Sequence, residues 1–159
     1  MWPNPLIRLI LYQPDIPQNT GAVLRLGACF DVPIEIIEPC GFVWDDKRLK
    51  RAGMDYTSGV KLTRHPSWEA FVNESQSESG RIILFTTKAE QSYASFQFQP
   101  GDLLLYGQES SGVPDNVHNW ADARVRIPLA KGNRSLNLAQ AAAIGCTEAL
   151  RQTGSLPSI

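Results

Sequence analysis

Apolar residues along this chain fall into short continuous runs separated by stretches of helical periodicity. Runs of strand length recur at Leu6 to Tyr12, Ile34 to Ile37, Arg81 to Phe85, Leu103 to Tyr106 and Ala123 to Ile127. Most lack polar alternation, the composition expected of strands covered on both faces. Between them, Ala22, Val23, Leu26, Cys29 and Phe30 repeat at helical spacing, and Trp68, Phe71 and Val72 do so more weakly. Leu136 to Leu150 keep that spacing over about four turns. Strand and helix alternate, which predicts an α/β fold with a mostly parallel sheet covered by helices. The Ser- and Glu-rich segment Asn73 to Gly80 is predicted as a solvent loop. With no linker and no internal repeat, residues 1–159 are read as a single domain whose tail after Gln152 is expected to be flexible. Small residues at Ala139, Ala141, Ala142, Ala143 and Gly145 allow close approach of another element; core packing is the default explanation and a subunit interface the alternative.

Composition narrows the class of protein. At 159 residues and 43% hydrophobic, the chain has the apolar content for one core. Cys29, Cys40 and Cys146 are widely spaced and form no C-x-x-C pair, which suggests neither a disulfide framework nor structural zinc and fits a reducing cytoplasm. The run Leu6 to Tyr12 is too short to cross a bilayer and is interrupted by Arg8, so no membrane segment is expected. His65 and His118 have no metal-ligand partner nearby in sequence and are read as surface or loop residues, with no metal. Fifteen basic against sixteen acidic side chains give a net charge of −1, so an RNA site must be a local patch. Its densest candidate is Lys47, Arg48, Lys50 and Arg51, with Lys61 and Arg64 further on; a solvated helix face is the plain alternative.

In an open α/β sheet, ligands bind beyond the carboxyl ends of the strands, which directs attention to the loops after Tyr12, Tyr106 and Ile127. The first, Gln13 to Gly21, is stiffened by Pro14 and Pro17, offers Asn19 as a helix cap, and leads to Arg25 on the predicted flank of an apolar face. The second, Gly107 to Pro114, has glycines that let a backbone approach a ligand and a lone carboxylate, Glu109. Val113 and Pro114 stand where a phosphate loop needs Lys and Ser or Thr, and neither a G-x-S-x-G nor a G-x-G-x-x-G motif occurs. The third, Ile127 to Asn137, ends at a helix N-terminus, where Asn137 and Gln140 look like a capping box.

Taken in order, Asn19-Thr-Gly-Ala-Val-Leu-Arg25, Gly107-Gln-Glu-Ser-Ser-Gly112 and Ile127-Pro-Leu…Ser135-Leu-Asn137 resemble the three motifs of the SPOUT superfamily of RNA methyltransferases. The segment Ile37 to Tyr56, with Trp44-Asp-Asp-Lys-Arg within it, is similar to the tRNA (cytidine(34)-2′-O)-methyltransferase subgroup. The resemblance covers nearly the whole chain. It implies a C-terminal deep trefoil knot, which no general packing rule would propose, and a homodimer with an active site shared between subunits. It also implies S-adenosylmethionine as donor, S-adenosylhomocysteine as product, and transfer to the ribose 2′-hydroxyl of the wobble cytidine or modified uridine of leucine tRNAs.

By the same resemblance the donor lies near Phe85, Gly107, Ile127, Ser135 and Leu136. Arg25, Asn19, Glu109, Ser135 and Asn137 form the expected catalytic set, and, since an RNA substrate needs phosphate contacts, Lys47, Arg48, Lys50 and Arg51 are expected to meet RNA. The family's arginine is proposed as the base. A guanidinium with a pKa above about 12 suits a phosphate clamp and alkoxide stabiliser better. Two rivals stand beside this reading: a 2′-O-methyltransferase of another tRNA or rRNA nucleotide, and a non-catalytic RNA-binding module.

Overall fold

The computed structural model describes residues 6–45, 47, 49, 59–75 and 80–159. Its strands are β1 (Arg8–Tyr12), β2 (Ile34–Ile37), β3 (Leu62–His65), β4 (Ile82–Phe85), β5 (Leu103–Tyr106) and β6 (Ala123–Val125). They form one sheet in the order β3-β2-β1-β5-β4-β6, and every pairing is parallel. The α-helices whose two ends both lie among the described residues are α1 (Pro17–Phe30), α2 (Trp68–Ser75), α3 (Asp115–Trp120) and α4 (Leu138–Thr153).

Side chains alternate across a strand, so an all-apolar strand supplies two cores at once. Leu9, Leu11, Ile34, Ile36, Ile83, Phe85, Leu104 and Tyr106 pack on one face with Val23 and Leu24 of α1 and Ala142, Cys146 and Ala149 of α4. Ile10, Tyr12, Ile37, Leu84, Leu103 and Leu105 pack on the other with Trp68 and Phe71 of α2 and Val117 of α3. The result is a three-layer α/β/α domain. Register then places the site: Leu11 and Phe85 both pair with Tyr106, and Phe85 pairs with Val125. The carboxyl ends of β1, β5, β4 and β6 are level, and the loops that follow them stand side by side.

Several expectations are corrected. β3 has no apolar run because it is an edge strand, with Thr63 and Arg64 exposed. α2 extends through Ser75, three residues into the predicted loop. α1 begins at Pro17, with Ile16 as its N-cap residue, so Asn19 lies within the first turn and does not cap it. Proline at N1 accounts for the earlier start, since its missing N–H is an orphan donor there in any case. α4 runs through Thr153 and closes on Gly154 at φ 69°, with Ser155 N–H donating to Leu150 O at 2.8 Å.

His65 is the largest correction. It is 2% exposed at the end of β3. Its Nε2 lies 2.7 Å from Glu35 Oε1 and its Nδ1 lies 3.0 Å from Glu74 Oε2, while Arg8 binds the other Glu35 oxygen at 2.7 Å. Burial is tolerated because carboxylates occupy both ring nitrogens, and the chain of contacts ties β1, β2, β3 and α2 together.

Candidate ligand cavity

A cavity of about 580 Å³ opens at the carboxyl ends of β4 and β5. That lies within the roughly 300–1,000 Å³ of ordinary small-molecule sites. Three segments wall it, 84–87, 106–113 and 126–138, and Ile16 and Asn19 close one side. Its floor is aromatic. Phe85 stacks on Tyr106 at 4.8 Å, and burial drives the Tyr106 hydroxyl well above its usual pKa, so it stays neutral. α4 lies directly beneath: a Cβ on Gly145 would come within 2.6 Å of Phe85 Cζ.

The loop after β5 folds back on itself. Gln108 N–H donates to Gly112 O at 2.8 Å and Gly112 N–H to Gln108 O at 2.9 Å. Gly112 has φ 67°, and a Cβ on Gly107 would meet the Gly112 carbonyl carbon at 2.6 Å, so both glycines are needed for this closure.

Polar side chains link the loops at the rim. Asn137 Nδ2 donates to Asn19 Oδ1 at 2.8 Å, and Asn19 Nδ2 donates to Glu109 Oε1 at 3.5 Å. Glu109 Oε2 accepts the Asp15 N–H at 3.0 Å, and Ser110 Oγ donates to Asp15 Oδ2. Asn137 Oδ1 accepts from Ala139 N–H at 2.9 Å, capping α4. Loops distant in sequence are thus held in one arrangement.

Phe85, Gly107, Ile127, Ser135 and Leu136, expected around the donor, all line this cavity, and so do Asn19, Glu109 and Asn137. Arg25 does not line it. Arg25 is exposed with Gln18, Ala22 and Cys29 on one stripe of α1, away from the buried Val23, Leu24 and Gly27, which corrects the flank position expected for it. Lys47 is exposed; Arg48, Lys50 and Arg51 lie outside the described residues. Sequence reasoning missed Asp15, Ser110, Arg126 and Arg134. The lone carboxylate of Glu109 calls for a partner, but nothing in the sequence points to Asp15 or Ser110 as that partner. Among the described residues no group of His, Cys, Asp or Glu could hold a metal, and no helix is long and apolar enough to cross a membrane.

A stacked aromatic floor, apolar walls at Ile127 and Leu136, tight glycine backbone and the N-terminus of α4 suit a nucleoside-bearing ligand with a polar tail. Known proteins are similar over this whole frame. A family model described as the SpoU rRNA Methylase family matches residues 6–147. A tRNA (cytidine(34)-2′-O)-methyltransferase of Beijerinckia indica subsp. indica is 55% identical over 95% of this chain and 94% of its own. A solved structure described as giving insights into the 2-OH methylation of C/U34 on tRNA superposes with a TM-score of 0.86 at 40% identity, covering 95% of this chain and 97% of its own. The SpoU methyltransferase AviRb from Streptomyces viridochromogenes, solved with the cofactor AdoMet, shares the fold with a TM-score of 0.85 at 22% identity, over 96% of this chain and 59% of that longer one.

Proposed function

Because this chain belongs to the SpoU rRNA Methylase family, we propose that it transfers the methyl group of S-adenosylmethionine to the ribose 2′-hydroxyl of nucleotide 34 in tRNA, releasing S-adenosylhomocysteine. The observation that carries the chemistry is the cavity itself, where three loops converge beyond the carboxyl ends of parallel strands. The family description speaks of rRNA. The tRNA substrate is supported by relatives named for nucleotide 34 that match 95% of this chain at 55% and 40% identity. Within that reading the substrates are leucine tRNAs carrying cytidine or a modified uridine at the wobble position, and the reaction belongs to the cytoplasm.

The residues present fit the donor. Phe85, Ile127 and Leu136 would enclose its adenine, while backbone around Gly107 and the Ser135 hydroxyl would meet its polar atoms. S-adenosylmethionine supplies a methyl group already activated on a sulfonium. What remains for the protein is to align the ribose oxygen with it and to stabilise that oxygen as its proton departs. The Asn19–Asn137 pair and Glu109 would hold the rim that receives the ribose.

Arg25 would clamp the adjacent phosphate and stabilise the developing alkoxide. Its place on the exposed stripe of α1, outside its own cavity, supports service to the cavity of a second copy in a homodimer. The deep trefoil knot belongs to the same reading: segment 126–138 walls the cavity before α4 returns beneath Phe85. Lys47, Arg48, Lys50 and Arg51 would supply phosphate contacts.

The reaction is tested by incubating the purified protein with labelled donor and unfractionated tRNA. Label recovered in 2′-O-methyl nucleosides supports it. Label in a base, or donor binding without transfer, contradicts it.

A further inference from the structure

Two carboxyl groups meet at the rim of the cavity, and one of their oxygens is buried without a donor. Asp15 Oδ2 is served by Ser110 Oγ, but Asp15 Oδ1 is buried and accepts from no N–H or O–H donor. Glu109 comes directly against it: its Oε2 accepts the Asp15 backbone N–H at 3.0 Å and its Oε1 accepts from Asn19 at 3.5 Å. The approach is enforced from behind. Gly41 N–H donates to Pro14 O at 2.9 Å, and a Cβ on Gly41 would fall 2.5 Å from Asp15 Cβ, so the segment after β2 presses on Asp15. A buried acceptor without a donor carries its desolvation cost uncompensated, and two carboxylates in one site cannot both stay ionised cheaply. One proton between them removes both penalties.

We propose that Asp15 and Glu109 share a single proton, and that Asp15 is thereby a positioning residue for methyl transfer, keeping Glu109 a neutral acid in the Glu109–Asn19–Asn137 clasp. The second half of this statement rests on the proposed function; the first does not. The electrostatics agree in direction. Burial, then the Asp15 side chain, hold Glu109 above the usual carboxylate range, and the hydrogen bond from Glu109, helped by Ser110, holds Asp15 below it. The other ionisable groups facing the pair do not replace this proton. Cys40, from the segment after β2, is a neutral thiol whose pKa burial pushes to about 11, and neither Arg126 nor Arg134, which line the same cavity from the segment after β6, is among the groups that shift Asp15 or Glu109. Loss of the shared proton would place two anions side by side and open the clasp.

The direct test is a ¹³C NMR titration of the protein labelled at glutamate carboxyl carbons, with Glu109→Gln to assign the signal. Glu109 is expected to titrate above the ordinary value of about 4.3, and Asp15→Asn is expected to bring its midpoint down. A Glu109 midpoint in the ordinary range, or one unmoved by Asp15→Asn, would overturn the proposal. This readout needs neither RNA nor turnover. The positioning role is read from the pH profile of kcat/KM. Wild type should fall about tenfold per pH unit above the Glu109 midpoint, and both Asp15→Asn and Glu109→Gln, which leave no second anion to repel, should abolish that limb. A uniform loss at every pH in Asp15→Asn would reject positioning. A protein that titrates as expected yet methylates no tRNA would refute the proposed function and leave the shared proton standing.

Discussion

Asn137 donates its side-chain amide to the side-chain oxygen of Asn19 at 2.8 Å, joining residues 118 positions apart. The same Asn137 side chain caps α4 through its oxygen, so one residue fixes a helix end and the first turn of α1 together. These two jobs use different atoms and separate by mutation. Asn137→Ala should lower stability by about 1 kcal/mol through loss of the cap and also slow methyl transfer. Asn137→Asp keeps the capping oxygen and adds a charge suited to a helix N-terminus, so thermal melts should recover while the rate does not. Full activity in the Asp variant would show the link to Asn19 to be dispensable.

Arg25 stands outside its own cavity, and its loss should leave donor binding alone. Calorimetry with S-adenosylmethionine should return the wild-type affinity for Arg25→Ala, while turnover on tRNA falls by about 10²–10³, the scale for removing one stabiliser of a developing anion. Arg25→Lys should rescue little, because a planar bidentate donor is replaced by a point charge. Substantial rescue by Lys would argue against the clamp.

Gly145 lets α4 lie on the aromatic floor, since a Cβ there would come within 2.6 Å of Phe85 Cζ. Gly145→Ala should destabilise by about 1–3 kcal/mol, as overpacking does, and weaken donor binding by displacing the Phe85–Tyr106 stack. Melting and donor titration of the one variant check both effects. An unchanged donor affinity would place the ligand away from this floor.

Stability should respond to pH through the same carboxyl pair. Glu109, raised in the fold, contributes stability that is full below its unfolded pKa and lost as pH rises through its folded value. Asp15, lowered in the fold, contributes above its unfolded pKa and loses this as pH falls through its folded value. Glu109→Gln removes the first dependence. Its melting temperature should gain on wild type as pH rises above the ordinary carboxylate range, and a constant gap would contradict the shared proton.

What the chain reveals of this architecture depends on where each residue sits in the sheet. β2 and β5 were legible because Ile34–Ile37 and Leu103–Tyr106 are covered on both faces. β3 was not, since an edge strand with Thr63 and Arg64 in solvent has no apolar run to display. His65 looked like a surface residue because its burial depends on Glu35 and Glu74, which lie on other elements. The cavity residues emerged from loop position and motif resemblance together. Asp15 escaped notice because its importance comes from meeting Glu109, 94 positions away, which no local pattern encodes.

The most direct test of the central claim is to locate the methyl group. Leucine tRNA lacking the mark would be incubated with the protein and labelled S-adenosylmethionine, digested with nuclease, and read by mass spectrometry. A 2′-O-methyl ribose at nucleotide 34 is expected. Label at another nucleotide, or in ribosomal RNA offered in competition but not in the tRNA, would contradict the substrate, and no 2′-O-methyl product in either RNA would contradict the reaction.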